Sequence, residues 1–246
     1  MKILLLTSGK SNILEFLKQY GEVTVYREKL DLIDSISYFD WIISYGYRHI
    51  IKASEIKQAR NPIINLHISY LPYNRGADPN FWSWFDDTPK GVSIHQIDEG
   101  IDTGPIYARR TVEFTEEETL ASSYEILKSS IENLFYYYFE DIISGKCLPF
   151  RPIEKNGSFH LSKDLDKYKH LLYNGWNTPV KDLKKMTDLE IINEIESVRS
   201  KNNVNWMDIL RLAFKHAPDE TREIIGRINS DDNKISSLLE KLSNNK

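Results

Sequence analysis

The chain is nearly without cysteine. Cys147 is its only one in 246 residues, so no intrachain disulfide can form and a reducing compartment is expected. Cys147 itself reads as a small filler near a helix end. A strong charge of either sign is also missing: 32 basic and 36 acidic residues leave a net charge of −4. Without a basic field, nucleic acid is not an expected partner. Long apolar runs are absent. Met1-Lys2-Ile3-Leu4-Leu5-Leu6 stops at Thr7-Ser8-Gly9-Lys10, too soon for an export signal or a membrane span. No membrane association is expected, and the cytoplasm is the expected location. There is no Gly-x-Gly-x-x-Gly loop between Thr7 and Asn12, which argues against a dinucleotide. Repeats of solenoid length and low-complexity tracts are lacking too.

What remains is an ordinary globular balance, 41% hydrophobic and 28% charged. Lys2–Leu6 predicts a buried strand, followed by a helix over 11–20 and a strand over 23–26. Further strands are expected over 40–44 and 62–66, with a helix over 53–58 between them. This alternation predicts an α/β fold with a doubly wound, largely parallel sheet. Two more strands are expected over 92–97 and 106–114. Thr115-Glu116-Glu117-Glu118 has the form of a capping box and predicts the start of a long helix. Its apolar stripe (Leu120, Tyr124, Leu127, Ile131, Leu134, Phe135, Tyr138, Ile142) lasts roughly six turns, and Ser144-Gly145-Lys146 predicts its end. The aromatic run 135–139 reads as core plus a second packed face.

Three segments are expected: a main domain over 1–150, a short strand and loop extension over 151–186, and a helical C-terminal extension over 187–246. Thr187-Asp188-Leu189-Glu190 predicts a helix through Arg199, followed by helices over 205–216, 219–229 and 231–242. An exposed apolar face on this tail would favour a homodimer.

The densest chemistry lies in about forty residues. Asn65-Leu66-His67 is followed by Leu71-Pro72-Tyr73-Asn74-Arg75-Gly76 and then Asp98-Glu99-Gly100-Ile101-Asp102-Thr103-Gly104. Asn65 and His67, two apart at the carboxyl end of a strand, project to the same side, where open α/β sheets place ligands. A carboxamide can donate to a developing oxyanion without titrating. An imidazole can take or give a proton near neutrality. Asp102, in a glycine-flanked loop, could orient that imidazole. The trio suits acyl transfer to an amine. Separately, each element has a plainer reading: a satisfied core histidine, a turn aspartate. His67, His95 and Asp102 do not fall into a familiar zinc spacing, so no metal is expected.

Taken together in this order, Asn65-Leu66-His67, the Ser69-Tyr70-Leu71-Pro72 loop, Arg75-Gly76 and the Asp98–Gly104 loop resemble the signature of the folate-dependent formyltransferases over about residues 2–149. The resemblance implies N10-formyltetrahydrofolate as formyl donor, Asn65 as oxyanion donor, His67 as acid/base and Asp102 as its assistant. The stretch Arg75-Gly76-Ala77-Asp78-Pro79-Asn80-Phe81-Trp82 most resembles the nucleotide-sugar N-formyltransferases. These formylate dTDP- or UDP-linked amino sugars, often 4-amino-4,6-dideoxyhexoses, and the resemblance implies such an acceptor here, with a role in lipopolysaccharide O-antigen synthesis. On that reading Arg75 would pair with a phosphate, Asp78 or Asn80 would bind sugar hydroxyls, and Trp82 and Lys163 would complete the acceptor site. Trp82 and Trp84 read equally as packing residues, and Lys163 as a surface lysine. Phe159, Tyr168, Tyr173 and Trp176 are candidates for stacking on a base. The pterin would lie near Tyr45-Gly46-Tyr47-Arg48, with Gly100 and Ile101 on the opposite loop.

Two departures stand out. The segment before Asn65 is short by roughly one strand–helix–strand unit compared with longer members, which implies fewer strands. The helical tail replaces the β-barrel domain of the methionyl-tRNA formyltransferases. Two rival functions share the trio or dispense with it: a formyltetrahydrofolate hydrolase, with water in place of the amine, and a non-catalytic nucleotide-sugar-binding protein.

Overall fold

The computed structural model describes every residue except 10, 31–34, 154–155, 184–187 and 245–246. It divides into two units, Met1–Lys185 and Met186–Lys246.

In the first unit the strands are β1 (Lys2–Leu6), β2 (Glu22–Tyr26), β3 (Trp41–Tyr45), β4 (Ile64–His67), β5 (Arg75–Gly76), β6 (Gly91–Gln96), β7 (Ile106–Thr111) and β8 (Phe159–His160). The helices are α1 (Ile13–Leu17), α2 (Ala53–Gln58), α3 (Pro79–Phe85) and α4 (Leu120–Ile143). Six strands form the main sheet, in the order β2-β1-β3-β4-β6-β7. β2, β1, β3 and β4 run parallel. β6 and β7 are antiparallel additions.

β1 is apolar at four consecutive positions because both its faces are covered. Ile3 and Leu5 join Ile43, Ile64, Leu66, Val92 and Ile94 against α1 and α4. Leu4 and Leu6 join Ile42 and Ile63 on the opposite face, over which Leu30, Ile36, Phe39 and α2 lie. Strand alternation then assigns the site. With Ile64 and Leu66 facing α4, Asn65 and His67 of β4 face the other way.

The doubly wound, largely parallel sheet is as expected, and α2 occupies the predicted range. Three expectations need correction. The first helix is only Ile13–Leu17. The backbone amides of Gln19 and Tyr20 close tight turns onto the Phe16 and Leu17 carbonyls, which ends the α-helical pattern early.

Second, the long helix starts at Leu120, about one turn after the Thr115 box. Its N-cap is Thr119, which exchanges side-chain and backbone hydrogen bonds with Ser122. The start is fixed from outside the helix, because Leu120 N–H donates to the Thr178 carbonyl at 3.1 Å. Gly145 follows the end of α4 with φ +74, the left-handed conformation that favours glycine there.

Third, the described residues of the second unit form two helices where four were expected: α5 (Asp188–His216) and α6 (Pro218–Asn244). The polar stretches near 200 and 230 contain no proline, and Pro218 stands at the first position of α6, where its missing N–H costs nothing. The Thr187 capping position lies outside the described residues. No described helix is long and apolar enough to cross a membrane.

Beyond α4, the described residues up to Leu183 include β8 and three 3-10 segments, Ser162–Leu171, Gly175–Asn177 and Val180–Leu183. β8 pairs with β5. Phe81, Trp82 and Phe85 of α3 pack with Leu120, Leu165 and Leu183. Cys147 is half-buried against the main core.

The aromatic run separates by face. Phe135 and Phe139 are fully buried, whereas Tyr137 is 73% exposed. Phe135→Ala is expected to lower unfolding free energy by about 3–5 kcal/mol, and Tyr137→Ala to stay within about 0.5 kcal/mol of the parent. Urea titrations of the three proteins check this.

Candidate active site

β4 ends at His67 and lies between β3 and β6. Its antiparallel pairing with β6 sets Asn65 opposite His95 and His67 opposite Ser93. Opposed residues share a sheet face, so the four polar side chains lie together on one face of the sheet.

Asp102 joins them from the loop after β6. Asp98 shapes that loop, accepting hydrogen bonds from Gly100 N–H at 3.1 Å and the Thr103 hydroxyl at 2.5 Å. Asp102 has φ +52. Its Oδ1 accepts from Asn65 Nδ2 at 3.3 Å and its Oδ2 from Gly76 N–H at 2.8 Å. Gly76 has φ +88, and a Cβ there would lie 2.3 Å from the His160 carbonyl oxygen. Only glycine fits that position.

His67 is buried. Its Nε2 lies 3.2 Å from the Asn74 carbonyl oxygen and 3.7 Å from Asp102 Oδ2. Both neighbours only accept, so Nε2 carries the hydrogen and Nδ1 is left as the basic nitrogen. Asn74 is held for this contact: its side-chain amide donates to the Thr88 hydroxyl at 2.7 Å and its backbone N–H to the Ser158 hydroxyl at 2.8 Å. Ser93 steadies the intervening loop, accepting from Leu71 N–H and donating to the Ser69 carbonyl.

Burial pushes the His67 pKa down, against the pull of Asp102. Burial pushes Asp102 up, but the two imidazoles and the Gly76 amide outweigh it and hold the carboxyl well below the usual carboxylate range. At neutral pH the site therefore holds a neutral imidazole and a carboxylate. Both shifts have one sign for stability. The folded state binds fewer protons than the unfolded state, so stability falls as pH drops below the unfolded pKa of each group.

The structure thus brings Asn65, His67 and Asp102 together. It adds His95, Asn74 and Ser93, which no motif marks as site residues. Polar residues at two buried positions of one β6 face, Ser93 and His95, are the available signal in the sequence.

The expected acceptor residues divide. Arg75 adjoins the site through Gly76. Its Nε is buried with no hydrogen-bond partner among the described residues, and its guanidinium lies 6.0 Å from the Phe159 ring centroid. Asp78 has φ +51 at the start of α3, and burial raises its carboxyl. Asn80 does not present its amide: Nδ2 donates to the Leu120 carbonyl at 2.9 Å and Oδ1 accepts from the Ser123 hydroxyl at 3.1 Å. It ties α3 to α4. Trp82 is likewise internal, 3% exposed and stacked on His160 at 3.9 Å between centroids. Lys163 is exposed. Tyr168 packs on Trp82 and Phe85, while Phe159, Tyr173 and Trp176 are exposed.

The expected pterin residues begin at the last residue of β3, where Ser44 pairs with Asn65 and Tyr45 with Leu66. Tyr45 faces α4, the opposite side from the trio, and its hydroxyl donates to buried Glu132 at 2.9 Å. Burial and Glu132 push that phenol far up, so it stays neutral. Gly46 has φ +66, and its carbonyl accepts from Ser8 N–H at 3.2 Å. Arg48, Gly100 and Ile101 are exposed, and Tyr47 is half-buried. Among the described residues no group of His, Cys, Asp and Glu is arranged to hold a metal ion.

Comparison with known proteins adds to this geometry. Residues 2–136 match the formyl transferase family. A crystal structure of the formyltransferase PseJ from Anoxybacillus kamchatkensis, in complex with UDP-4,6-dideoxy-4-formamido-L-AltNAc and tetrahydrofolate, is 47% identical with a TM-score of 0.71. The likeness covers 74% of this chain and 97% of that one. The dTDP-4-amino-4,6-dideoxyglucose formyltransferase of Mycobacterium tuberculosis is 26% identical over 187 residues, 70% of this chain and 79% of the relative. The methionyl-tRNA formyltransferase of Sorangium cellulosum is 44% identical over 72 residues, which is 28% of this chain and 22% of the relative.

Proposed function

The chain belongs to the formyl transferase family, and from that premise we propose that it transfers a formyl group from N10-formyltetrahydrofolate to the amine of a nucleotide-linked amino sugar. The observation that carries this reading is the convergence of Asn65 and His67 on the two oxygens of Asp102. The sugar-linked ligand and tetrahydrofolate of the PseJ complex support the substrate class.

The amine attacks the formyl carbon, and charge develops on the formyl oxygen. Asn65 Nδ2 supplies a donor for that oxygen. His67 Nδ1 takes the proton lost by the attacking nitrogen. The ionised Asp102, 3.7 Å from Nε2, stabilises the imidazolium by its charge. As the tetrahedral intermediate collapses, the bond from the formyl carbon to N10 breaks and the imidazolium returns its proton to N10, so tetrahydrofolate leaves and the sugar nitrogen keeps the formyl group. Arg75, whose buried Nε has no hydrogen-bond partner among the described residues, fits a phosphate of the acceptor, and Asp78 fits a sugar hydroxyl. The backbone at Gly46–Arg48 and Gly100–Ile101 fits the pterin. Lys163 is retained as a phosphate contact of lesser reach.

The test is formyl transfer from N10-formyltetrahydrofolate to a panel of UDP- and dTDP-linked 4-amino-4,6-dideoxyhexoses. Formamide formed on one of them supports the reading. Folded protein inactive on all of them, or formate release that no sugar improves, overturns it. Because the PseJ complex holds a UDP sugar, UDP is the nucleotide expected to bind. At about 100 times its dissociation constant it should raise Tm by roughly 5–10 °C, with dTDP giving less. An equal shift from dTDP removes the base preference.

The proposal extends to a cytoplasmic role in supplying sugars for O-antigen, and to a homodimer formed through the helical unit. Trp206, Ile209 and Leu212 of α5 and Ile228, Ile235 and Leu238 of α6 are exposed, which supports the second point. Light scattering on the full chain checks it.

A further inference from the structure

We propose that His95 is a positioning residue, whose unprotonated Nε2 decides which end of the Asn65 carboxamide faces the reaction. The kinetic part of this proposal rests on the formyl-transfer reading; the orientation rests on geometry alone.

His95 is 1% exposed and stands opposite Asn65 in the β4–β6 ladder. Its Nδ1 lies 2.7 Å from the Gln96 carbonyl oxygen. A carbonyl accepts and cannot donate, so Nδ1 carries the hydrogen and the neutral ring has a bare lone pair at Nε2. Two groups face Nε2, Asn65 Nδ2 at 3.0 Å and Asp102 Oδ1 at 3.4 Å. The nearer one can only donate, and it also donates to Asp102 Oδ1, so the amide lies between the lone pair and the carboxylate and Nε2 is the acceptor. A carboxamide has two ends of nearly equal size. Turned over, Asn65 would set its oxygen against the lone pair, acceptor against acceptor, and would also set it beside the Asp102 carboxylate. His95 and Asp102 together therefore leave one orientation.

The two contacts of Asn65 Nδ2 differ in length. The bond to His95 is 3.0 Å and the bond to Asp102 Oδ1 is 3.3 Å. The longer one is the weaker, so that hydrogen is the one available to a developing oxyanion while His95 keeps the group anchored. An imidazolium at position 95 would meet the amide hydrogen for hydrogen and would pair with Asp102 Oδ1, 3.4 Å away. The neighbouring His67 ring, 6.1 Å off between centroids, is the other titratable group facing it.

Two measurements test the proposal. The first is the nitrogen-15 spectrum of histidine-labelled protein at neutral pH. His95 should show a protonated Nδ1 and an unprotonated Nε2. An Nε2–H tautomer or a doubly protonated ring overturns the proposal, whatever the activity. The second is kinetic. His95→Leu is expected to lower kcat about tenfold, with the acceptor KM changed less than about twofold. His95→Gln, whose side-chain carbonyl can accept from Asn65, should recover most of the loss. Parental kcat in the leucine variant overturns the proposal, and so does a glutamine variant as impaired as leucine. If leucine at 95 prevents folding, the glutamine variant and the spectrum still decide. Wild-type protein with the stated tautomer but no formyl transfer refutes the functional reading and leaves the orientation standing.

Discussion

Replacing His67 by asparagine is expected to lower kcat by about 10²–10⁴-fold, the range of a positioned general base. The side chain is buried and its Nε2 is directed at Asn74 and Asp102, so Nδ1 has no ready substitute among the neighbours described. The pH profile gives the sharper readout. Burial lowers the His67 pKa, so the base form predominates at neutral pH, and activity should fall as pH drops through that lowered value. The variant should lose this acid limb. An unchanged profile would place the base elsewhere.

Asn65→Ala should cost about 10²–10³-fold in kcat, the scale of one lost oxyanion donor. The acceptor KM should change little, since the amide acts on charge that appears only in the transition state. Two side effects belong to the same substitution. His95 Nε2 loses its donor, and Asp102 Oδ1 loses one of its own. Melting curves of the variant separate these losses from catalysis. Full turnover would remove Asn65 from the mechanism.

Asn65, His67 and Asp102 are legible in the sequence because each stands in a recognisable motif, although Asp102 lies 37 residues from Asn65. Asn65 and His67 share one strand face by the period of two, and the Asp98–Gly104 loop is rich in turn residues. His95 is not legible in the same way. Its partner is thirty residues distant, and only the antiparallel register of β4 and β6 brings the two together. The start of α4 shows the same limit. Thr115 and Thr119 both offer capping chemistry, and the choice falls to Thr178 and Pro179, which meet Thr119 and Leu120 from far along the chain. Asn80 and Trp82 read as acceptor residues from their neighbourhood in sequence, yet tertiary packing turns both inward. The tail misleads by composition, because polar stretches without a breaker can remain helical.

The facing of Asn65 by His95 has a consequence for how such a chain can vary. One residue inserted within β4 or β6 would rotate every later side chain of that strand to the other face, parting the amide from its imidazole. Insertions and deletions should therefore accumulate in the connections around these two strands and be purged from the strands themselves.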